Sequence, residues 1–482
     1  MWTSGRSTDM VERRKESFRQ NILRNLGFSP TPSQDEAVAC LADFIYGKGE
    51  NFLFLLKGYA GTGKTSLVSA LVEALEAIKV KIVLLAPTGR AAKVLSQYSG
   101  RKAYTIHKWI YRTYSKDGVR KFVRRENKHD HTLFIVDEAS MIPLSNAQND
   151  SSTLNLLDDL MDFVYLGRSN RMLFVGDDAQ LPPVGAPESP ALDPAYLRSA
   201  YSVDVFSTSM KDVVRQSLDS GILVNATLLR NKISSGDCQP PYFKSEAYDD
   251  FVRVSGAGFE ELLNELYGSR PMDEVVTVTR SNKRAVLFNN SIRNRILFRE
   301  NRLSAGDYIM AVKNNYYWLD ELSEAGFLAN GDIMEVLSVH KQQEIYGFHF
   351  ADVTVRLCDY RDHPNVDIKI ILESLDFEGP SLSYEESRRL YDAVAEDYEG
   401  LDPRAKFLRL KNDPYVNAVQ VKFAYSMTCH KTQGGQWSHV IVDQGFFQAD
   451  FADREYMRWL YTAVTRGTAK VYLLDFSDEM FG

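Results

Sequence analysis

Short apolar runs alternate with amphipathic stretches through most of the chain. Eight of these runs have the length of a buried strand, and each is followed by a loop or a helical pattern. They lie near 51–56, 81–85, 132–136, 172–175, 274–279, 423–427, 439–443 and 471–475. Buried strands that alternate with helical patterns predict βαβ units and parallel sheets. Ligands bind such sheets at the carboxyl ends of the strands, so the loops that follow these runs are the first places to look for chemistry.

The αβ rhythm stops between about 303 and 420. This segment holds four short β-like runs, DYIMAVKNN, NGDIMEVLSVH, FHFADVTVRL and VDIKIILES, and then a charged helical stretch, YEESRRLYDAVAEDY. Four short strands separated by Gly, Asn and Asp turns predict a small β-barrel. The N-terminal stretch VERRKESFRQNILRNLGF reads as a basic amphipathic helix, and we expect it to cap the first αβ unit.

A basic and aromatic segment, YRTYSKDGVRKFVRREN, occupies 111–127 and carries six Lys or Arg against two acids. Its Asp117-Gly118 pair between β-friendly residues predicts a hairpin with strands near 110–115 and 119–125. Neither face of that hairpin is cleanly apolar, so we expect it to project from the molecule. A solvated hairpin without a function is the alternative.

Composition restricts the class of protein only loosely. The chain has 482 residues, a formal net charge of −7 and an ordinary composition for a globular protein. Net acidity argues against a uniformly basic binder, although a local basic groove is enough for nucleic acid. Its cysteines are scattered and form no C-x-x-C pair, which argues against a disulfide framework or structural zinc. The apolar runs are too short to span a bilayer and no signal peptide is evident, so we expect a cytoplasmic, nucleoid-associated protein.

The strongest chemical signal is NFLFLLKGYAGTGKTSLVSALVEALEAI at 51–78. It matches G-x-x-x-x-G-K-[ST] in the strand–loop–helix context that this phosphate-binding loop requires. The glycines let the backbone N–H groups point at phosphate oxygens at a helix N-terminus, and the lysine reaches the β and γ phosphates. A flexible glycine turn that binds nothing is the alternative. The predicted nucleotide contacts here are Gly58, Ala60, Gly61, Thr62, Gly63, Lys64, Thr65 and Ser66.

A second signal, LFIVDEAS, ends a buried-strand pattern with two acids. Asp137 is predicted to hold Mg²⁺ together with Thr65, and Glu138 to polarise the attacking water. A DE pair alone is more often surface charge, but downstream of a phosphate loop it predicts nucleotide hydrolysis.

Further blocks follow in order: LLAPTGRAAKVL, MLFVGDDAQLPPVG, VVRQS, TCHKTQG and YTAVTRG. Together with the phosphate loop and the DE block, they resemble the motifs of superfamily 1B DNA helicases of the RecD-like and phage Dda type. The resemblance runs from about Ser33 to Leu474 and is weak over 1–30 and 300–420. It implies an α/β fold of two RecA-like motor domains with ATP between them, a β-hairpin insertion in the first and a small β-barrel insertion in the second.

The resemblance also divides the chain. We expect an N-terminal helix at 1–30, a first motor domain at 31–195 that contains a hairpin insertion at 108–131, a second motor domain at 196–302 and 421–482, and a barrel insertion at 303–420. In the family the hairpin acts as the strand-separation wedge.

Further nucleotide contacts follow from the resemblance. Gln34 would read the adenine edge, and Gln180 would sense the γ-phosphate. Arg215 and Arg466 would reach the γ-phosphate from the second motor domain, with Arg230 as a competitor for Arg215. Gly434 is also expected at the nucleotide. The catalytic set is then Lys64, Glu138, Gln180, Arg215 and Arg466.

Single-stranded DNA contacts are implied in both motor domains and in the hairpin, where Phe122 would stack on a terminal base. For the histidines, a satisfied polar role on a strand edge is the alternative. The predicted contacts are Pro87, Thr88, Arg90, Thr105, His107, Phe122, Arg124, Thr428, His430 and Lys431.

The function implied is ATP-driven, 5′ to 3′ movement on single-stranded DNA with unwinding of duplex. The alternatives are a RecD-like motor subunit of a recombination nuclease and an ATP-switched clamp that binds single strands without unwinding. The expected cofactors are ATP and Mg²⁺. The expected partners are single-stranded DNA, forks, and single-strand-binding or replication and repair proteins, with the chain itself a monomer.

Overall fold

The structure is a computed structural model that describes residues 4–116, 119–144, 155–213, 219–320, 323, 325–360, 363–447 and 452–481. Side chains of residues 4–9, 113–116 and 119–122 lie outside the description. The helices are α1 Ser4–Leu26, α2 Pro32–Tyr46, α3 Lys64–Ala77, α4 Gly89–Ser99, α5 Ile106–Ile110, α6 Leu156–Tyr165, α7 Pro194–Tyr201, α8 Gly221–Ser235, α9 Gly256–Ser269, α10 Asn282–Ser291, α11 Glu373–Asp376, α12 Tyr384–Glu396, α13 Pro403–Lys411, α14 Cys429–Thr432 and α15 Arg454–Val464.

The strands are β1 Phe52–Gly58, β2 Lys81–Ala86, β3 Ala103–Thr105, β4 Tyr111–Lys116, β5 Val119–Arg124, β6 Thr132–Val136, β7 Arg171–Gly176, β8 Asp204–Met210, β9 Phe251–Val254, β10 Val275–Thr279, β11 Tyr308–Ala311, β12 Ile333–Ile345, β13 Phe348–Leu357, β14 Val366–Ile371, β15 Val419–Phe423, β16 Ser426–Thr428, β17 Trp437–Asp443 and β18 Gly467–Leu474. Within the described residues, no helix is both long and apolar enough to cross a membrane.

The first sheet is parallel, with strand order β3-β2-β6-β7-β1-β8. Its central strands are continuous apolar runs because helices and loops cover both faces, which form two separate hydrophobic clusters. This confirms the prediction of a parallel α/β unit. The division expected at 195 needs correction, since β8 pairs with β1 over its whole length and the first sheet therefore continues to Met210. Strand order cannot be read from the local pattern, and β8 is only partly buried, as an edge strand is.

The second sheet is also parallel, in the order β16-β10-β17-β18-β9. Three of its strands match predicted runs. The run expected at 423–427 needs correction because it divides between two elements: β15 ends at Phe423 in the barrel, and β16 begins at Ser426 in the sheet.

The barrel is closed by β11, β12, β13, β14 and β15. The four predicted runs supply the first four strands, and β15 supplies the fifth, so the barrel extends three residues beyond the expected limit of 420. Its core is continuous with the core of the second sheet. Val275 and Ile441 of that sheet belong to the same buried cluster as Ile309, Val336 and Val353 of the barrel.

The hairpin forms as predicted, with β4 and β5 paired in antiparallel register from Tyr111 opposite Arg124 to Lys116 opposite Val119. The Asp117-Gly118 turn lies outside the described residues. At the other end of the chain, α1 buries Phe18, Ile22 and Leu26 in the core of the first sheet. The N-terminal helix is therefore part of that unit.

Candidate functional site

The phosphate loop lies between β1, which ends at Gly58, and α3, which begins at Lys64. Gly61 and Gly63 have φ of 75° and 82°, a left-handed conformation that glycine adopts without steric cost. The Lys64 Nζ donates to the carbonyls of Gly58 at 2.5 Å and Tyr59 at 3.0 Å. The ammonium therefore lies inside the curve of the loop, next to the N-terminus of α3, where the helix dipole favours anions.

Gln34 lies beneath this loop. It is completely buried, its Nε2 donates to the Thr62 carbonyl at 3.0 Å, and its Oε1 accepts from the Thr31 N–H at 2.9 Å. Both ends of the amide are thus engaged in holding the loop against the start of α2. In contrast, Thr65 and Ser66 are exposed at the first turn of α3, so their hydroxyls are accessible to a ligand.

Asp137 and Glu138 follow β6, at the carboxyl edge of the first sheet. The Asp137 carboxylate accepts from the Tyr98 hydroxyl at 2.5 Å and from the Glu138 N–H at 2.8 Å. These two donors fix its orientation, while burial raises its pKa. Burial and the neighbouring Asp137 charge raise the pKa of Glu138 to about 7, against the opposing charges of Arg466 and Lys64.

Gln180 lies in the loop after β7. Its side chain is 7% exposed, and among the described residues its Oε1 has no hydrogen-bond partner. The backbone of this loop is held by Asp177, whose carboxylate accepts from the Ala179 N–H at 3.0 Å and lies 3.9 Å from the Lys64 Nζ. An unpartnered buried carbonyl beside the phosphate loop is available to bind a ligand or a water.

Arg466 reaches the same cleft from the second sheet. It is 4% exposed and donates to the carbonyls of Thr462 at 2.9 Å and Gly435 at 3.2 Å. Its charge lowers the pKa of Glu138, which is consistent with a position across the cleft from that carboxylate.

The predicted partner of Arg466, Arg215, lies outside the described residues. Its competitor Arg230 stacks over the Tyr59 ring with its Cζ 4.7 Å from the ring centroid, and it donates to the Lys211 carbonyl. The competitor is therefore in contact with the phosphate loop.

The first DNA block begins α4. Thr88 is the N-cap of this helix and accepts from the Ala91 N–H at 3.2 Å, next to the half-buried Pro87. Gly434 packs against this block, since a β-carbon there would lie 2.9 Å from the Ala91 Cβ and 3.2 Å from the Thr88 Oγ1. The absence of a side chain permits this close approach, and the expected contact of Gly434 with the nucleotide stays a prediction.

Arg90 connects the two sheets. Its guanidinium lies 3.8 Å from the centroid of the Trp437 ring, and its Nη2 donates to the Gln436 carbonyl at 3.2 Å. A planar guanidinium stacked on an aromatic ring is a favourable contact. Arg90 is therefore a contact between the two sheets, beside the predicted DNA groove.

The other predicted DNA contacts lie at the ends of short helices. Thr105 is the N-cap of α5 and accepts from the Lys108 N–H at 3.2 Å. Burial lowers the pKa of His107 to about 4, so its imidazole is neutral at neutral pH. Thr428 is the N-cap residue of α14, and burial lowers the pKa of the following His430.

Lys431 is the last of these contacts. Burial and the charge of Lys422 lower its pKa to about 8, and its Nζ donates to the Asn330 side chain in the barrel. On the opposite side, the Lys108 Nζ donates to the Ala325 carbonyl, also in the barrel region. A cavity of about 80 Å³ between α4, α5 and the barrel includes Gly89, Thr105 and Phe327 in its lining. The barrel thus covers the side of the molecule on which the predicted DNA contacts lie.

The hairpin is anchored at its base. Arg124 donates to Asp162 at 2.7 Å and Asp159 at 3.4 Å, and the Tyr111 hydroxyl donates to Asp159 at 2.7 Å. Arg124 is therefore paired with α6. The side chain of Phe122 lies outside the description, although its backbone pairs with Thr113.

Three functional candidates escaped the sequence analysis. Tyr98, Trp437 and Tyr461 each join a motif residue to another part of the site. Tyr461 stands within the quoted YTAVTRG block and could have been considered. The other two carry no local signal, because their partners are distant in the chain.

A phosphate loop, a strand-end Asp-Glu pair and an arginine from a second parallel sheet together define a P-loop nucleoside triphosphatase with two RecA-like units. Comparison with known proteins agrees with this class. The family "AAA domain" matches residues 31–233, and the family "UvrD-like helicase C-terminal domain" matches residues 423–474.

Relatives extend the comparison. The chain is 36% identical over 134 residues to the ATP-dependent RecD2 DNA helicase of Deinococcus radiodurans, a match that covers 28% of this chain and 16% of that protein. It is 25% identical over 445 residues to the ATP-dependent DNA helicase dda of Enterobacteria phage T4, a match that covers 86% and 93%. A crystal structure of Bacteroides Pif1 bound to ssDNA is 17% identical, with a TM-score of 0.48 and 94% of each chain covered.

The chain is thus similar to the RecD2 DNA helicase over about a quarter of its length and to the dda DNA helicase over most of it. It spans 16% of the RecD2 helicase and 37% of an uncharacterized protein, MJ1519, of Methanocaldococcus jannaschii.

Proposed function

We propose that this protein is an ATP-dependent DNA helicase that moves along single-stranded DNA, 5′ to 3′, and unwinds duplex. The observation that carries the proposal is the shared cleft: Glu138 follows a strand of the first sheet, and the helix that precedes Arg466 accepts a hydrogen bond from the phosphate loop through Tyr461. A hydrolytic site divided between two units makes turnover depend on their closure, which is what a motor requires.

The nucleotide would be ATP with Mg²⁺. The residues fit the ion, because the Thr65 hydroxyl is exposed at the start of α3 and the Asp137 carboxylate is oriented by two donors. When bound, the ion would neutralise phosphate charge and align the triphosphate. Glu138 would accept a proton from the attacking water, and Lys64 and Arg466 would stabilise the charge that develops on the γ-phosphate oxygens.

The DNA strand would lie between the barrel and the first helices of the two DNA blocks. Support comes from the neutral His107, the hydroxyls of Thr88 and Thr428, and the lysines Lys108 and Lys431 on either side of the barrel contact. Hydroxyl, imidazole and ammonium groups bind phosphates without reading base sequence, which suits an enzyme that moves along its track.

The hairpin would act as the wedge that separates the strands. The support for this role lies at the base of the hairpin, where Tyr111 of β4 and Arg124 of β5 bind the carboxylates of α6. A DNA fork is accordingly the proposed substrate, and the proposed active form is a monomer.

The test uses duplexes with a 5′ tail, a 3′ tail or no tail, in the presence of ATP and Mg²⁺. We expect displacement of the complementary strand from the 5′-tailed duplex alone, and no displacement by Lys64→Ala on any substrate. Displacement from the 3′-tailed duplex alone would reverse the direction. Tight binding of the 5′ tail with ATP hydrolysis and no displacement would support the clamp and contradict the helicase.

A further inference from the structure

Helix α15 belongs to the second sheet, but one of its side chains ends inside the nucleotide site of the first. The Tyr461 hydroxyl accepts from the Ala60 N–H of the phosphate loop at 2.8 Å and donates to the Asp177 Oδ2 at 2.7 Å. The side chain is 1% exposed. A hydroxyl can accept and donate at the same time, so this one group links the phosphate loop to the loop that carries Gln180.

Asp177 gives this link its importance. Its carboxylate is 1% exposed and lies 3.9 Å from the Lys64 Nζ, and the backbone of the same residue accepts from the Gln180 N–H at 3.4 Å. Burial raises the pKa of Asp177, while the Lys64 charge and the Tyr461 hydrogen bond lower it. The position of Asp177 therefore depends on a donor from the other sheet.

The next residue of α15 strengthens the connection. The Thr462 Oγ1 accepts from the Leu181 N–H at 2.9 Å, and the Thr462 carbonyl accepts from the Arg466 Nε at 2.9 Å. Two consecutive residues of one helix thus bind the Asp177 carboxylate and the Leu181 N–H, on either side of Gln180, and Thr462 also holds the arginine that faces Glu138.

We propose that Tyr461 is a positioning residue that couples cleft closure to hydrolysis, by fixing the depth of α15 against the phosphate loop. This inference rests on the proposed helicase function. The Tyr461 hydroxyl orients the Gln180 loop through its hydrogen bond to Asp177. The same helix places Arg466 through the Thr462 carbonyl. When DNA binding closes the cleft, the hydrogen bonds of the Tyr461 hydroxyl bring Gln180, Lys64 and Arg466 into alignment around the γ-phosphate.

The test is Tyr461→Phe, which keeps the buried ring and removes only the hydroxyl. We expect single-stranded DNA to stimulate hydrolysis about tenfold less than in the wild type, because a hydrogen bond to a charged group is worth about a factor of ten. The loss should lie in kcat of the stimulated reaction, with the KM for ATP within about twofold and the unstimulated rate less affected.

Tyr425→Phe is a matched control. Tyr425 is also 1% exposed, and its hydroxyl accepts from the Tyr308 N–H at 3.1 Å and donates to Asp307 at 2.9 Å, at the junction of barrel and second sheet. Tyr425→Phe loses one accepted and one donated hydrogen bond, as Tyr461→Phe does. We therefore expect a similar fall in melting temperature, with normal stimulation of hydrolysis by DNA.

The outcomes separate clearly. Wild-type stimulation by DNA in Tyr461→Phe would overturn the inference, and so would an equal loss in Tyr425→Phe. Absence of stimulation in the wild-type protein would instead contradict the proposed function itself. If Tyr461→Phe does not fold, Thr462→Val is measured instead, because it removes the hydroxyl that accepts from the Leu181 N–H on the other side of Gln180. We expect the same fall in the stimulation of hydrolysis by DNA, and unchanged stimulation would overturn the inference.

Discussion

Glu138 adopts a left-handed backbone conformation, with φ of 50°, directly after the buried strand β6. For a residue with a side chain, such a conformation costs on the order of 1–3 kcal/mol, and active sites are among the places where such strain is retained. A glycine would relieve the strain but would remove the carboxyl group. The strain therefore supports a chemical role for the side chain at this position.

Replacing Glu138 with Gln should lower steady-state ATP hydrolysis by about 10² to 10⁴, the usual contribution of a general base. Glutamine keeps the size of the side chain, so binding of ATP should remain. Phosphate release and a titration with labelled ATP measure the two properties, with the exposed Glu50→Gln as the control. A variant that hydrolyses at the native rate would disprove the assignment.

At the residue scale, the sequence indicated which residues belong to motifs, but not which side chains they contact. The motif that contains Asp137 could be recognised from the sequence. The hydrogen bond that Asp137 accepts from Tyr98 could not, because the two residues are 39 positions apart in the chain. Arg90 was predicted to contact DNA, and its side chain stacks on Trp437 of the other sheet. Such contacts depend on how distant elements pack, which local patterns do not encode.

At the scale of elements, the loop before β12 of the barrel packs against α4 of the first unit. Asp332 in this loop is 3% exposed; its Oδ2 accepts from the Ala329 N–H at 2.7 Å, and its Oδ1 has no partner among the described residues. A β-carbon at Gly89, the first residue of α4, would lie 2.7 Å from that Oδ1. Burial, together with the Asp359 charge, raises the pKa of Asp332 to about 7, although the hydrogen bond from the Ala329 N–H and the charges of Lys93 and Arg90 lower it.

This carboxyl should make stability depend on pH. Its pKa is higher in the folded state, about 7 against 3.8 when exposed, so the folded protein binds more protons and loses stability as pH rises from about 4 to 7. Asp332→Asn should remove this loss, worth up to about 4 kcal/mol at pH 8. Melting temperatures of both proteins at pH 5 and pH 8 measure it. Parallel changes in the two proteins would contradict the prediction.

The elements also show where sequence patterns lose information. The strand β15 was merged with β16 because two residues separate them, and nothing in VQVKFAYSMT indicates that the chain passes from barrel to sheet between them. No strand was predicted at 204–210, and these residues, which form β8, fell within the expected second unit. Alternating apolar runs predict that a strand exists, whereas hydrogen bonding to a distant neighbour decides which sheet it joins.

Across the whole molecule, the two sheets meet on both sides of the cleft. On the nucleotide side, Arg458 of α15 donates to the Pro187 carbonyl at 2.7 Å and Thr462 accepts from Leu181. On the other side, Arg90 stacks on Trp437. Contacts between the two sheets therefore lie both at the phosphate loop side and beside the predicted DNA groove.

Replacing Arg466 with Ala should lower ATP hydrolysis by about 10³, as the loss of an arginine that reaches the γ-phosphate does elsewhere. Affinity for single-stranded DNA should be retained, because within the described residues the hydrogen bonds of Arg466 go to Thr462, Gly435 and Thr465, which were not predicted to bind DNA. Fluorescence anisotropy of a labelled oligonucleotide measures the affinity. Arg454→Ala, an exposed arginine of the same helix, is the control, and loss of DNA affinity in Arg466→Ala would move that residue to the groove.

The shared core of barrel and second sheet has a mechanical consequence. Val275 and Ile441 of the second sheet pack in one hydrophobic cluster with Val336 and Val353 of the barrel. Sliding of the barrel over that sheet would therefore disrupt a close-packed core. We therefore expect the barrel and the second sheet to move together as one rigid body. A displacement of the second sheet at the nucleotide cleft would then move the barrel at the same time.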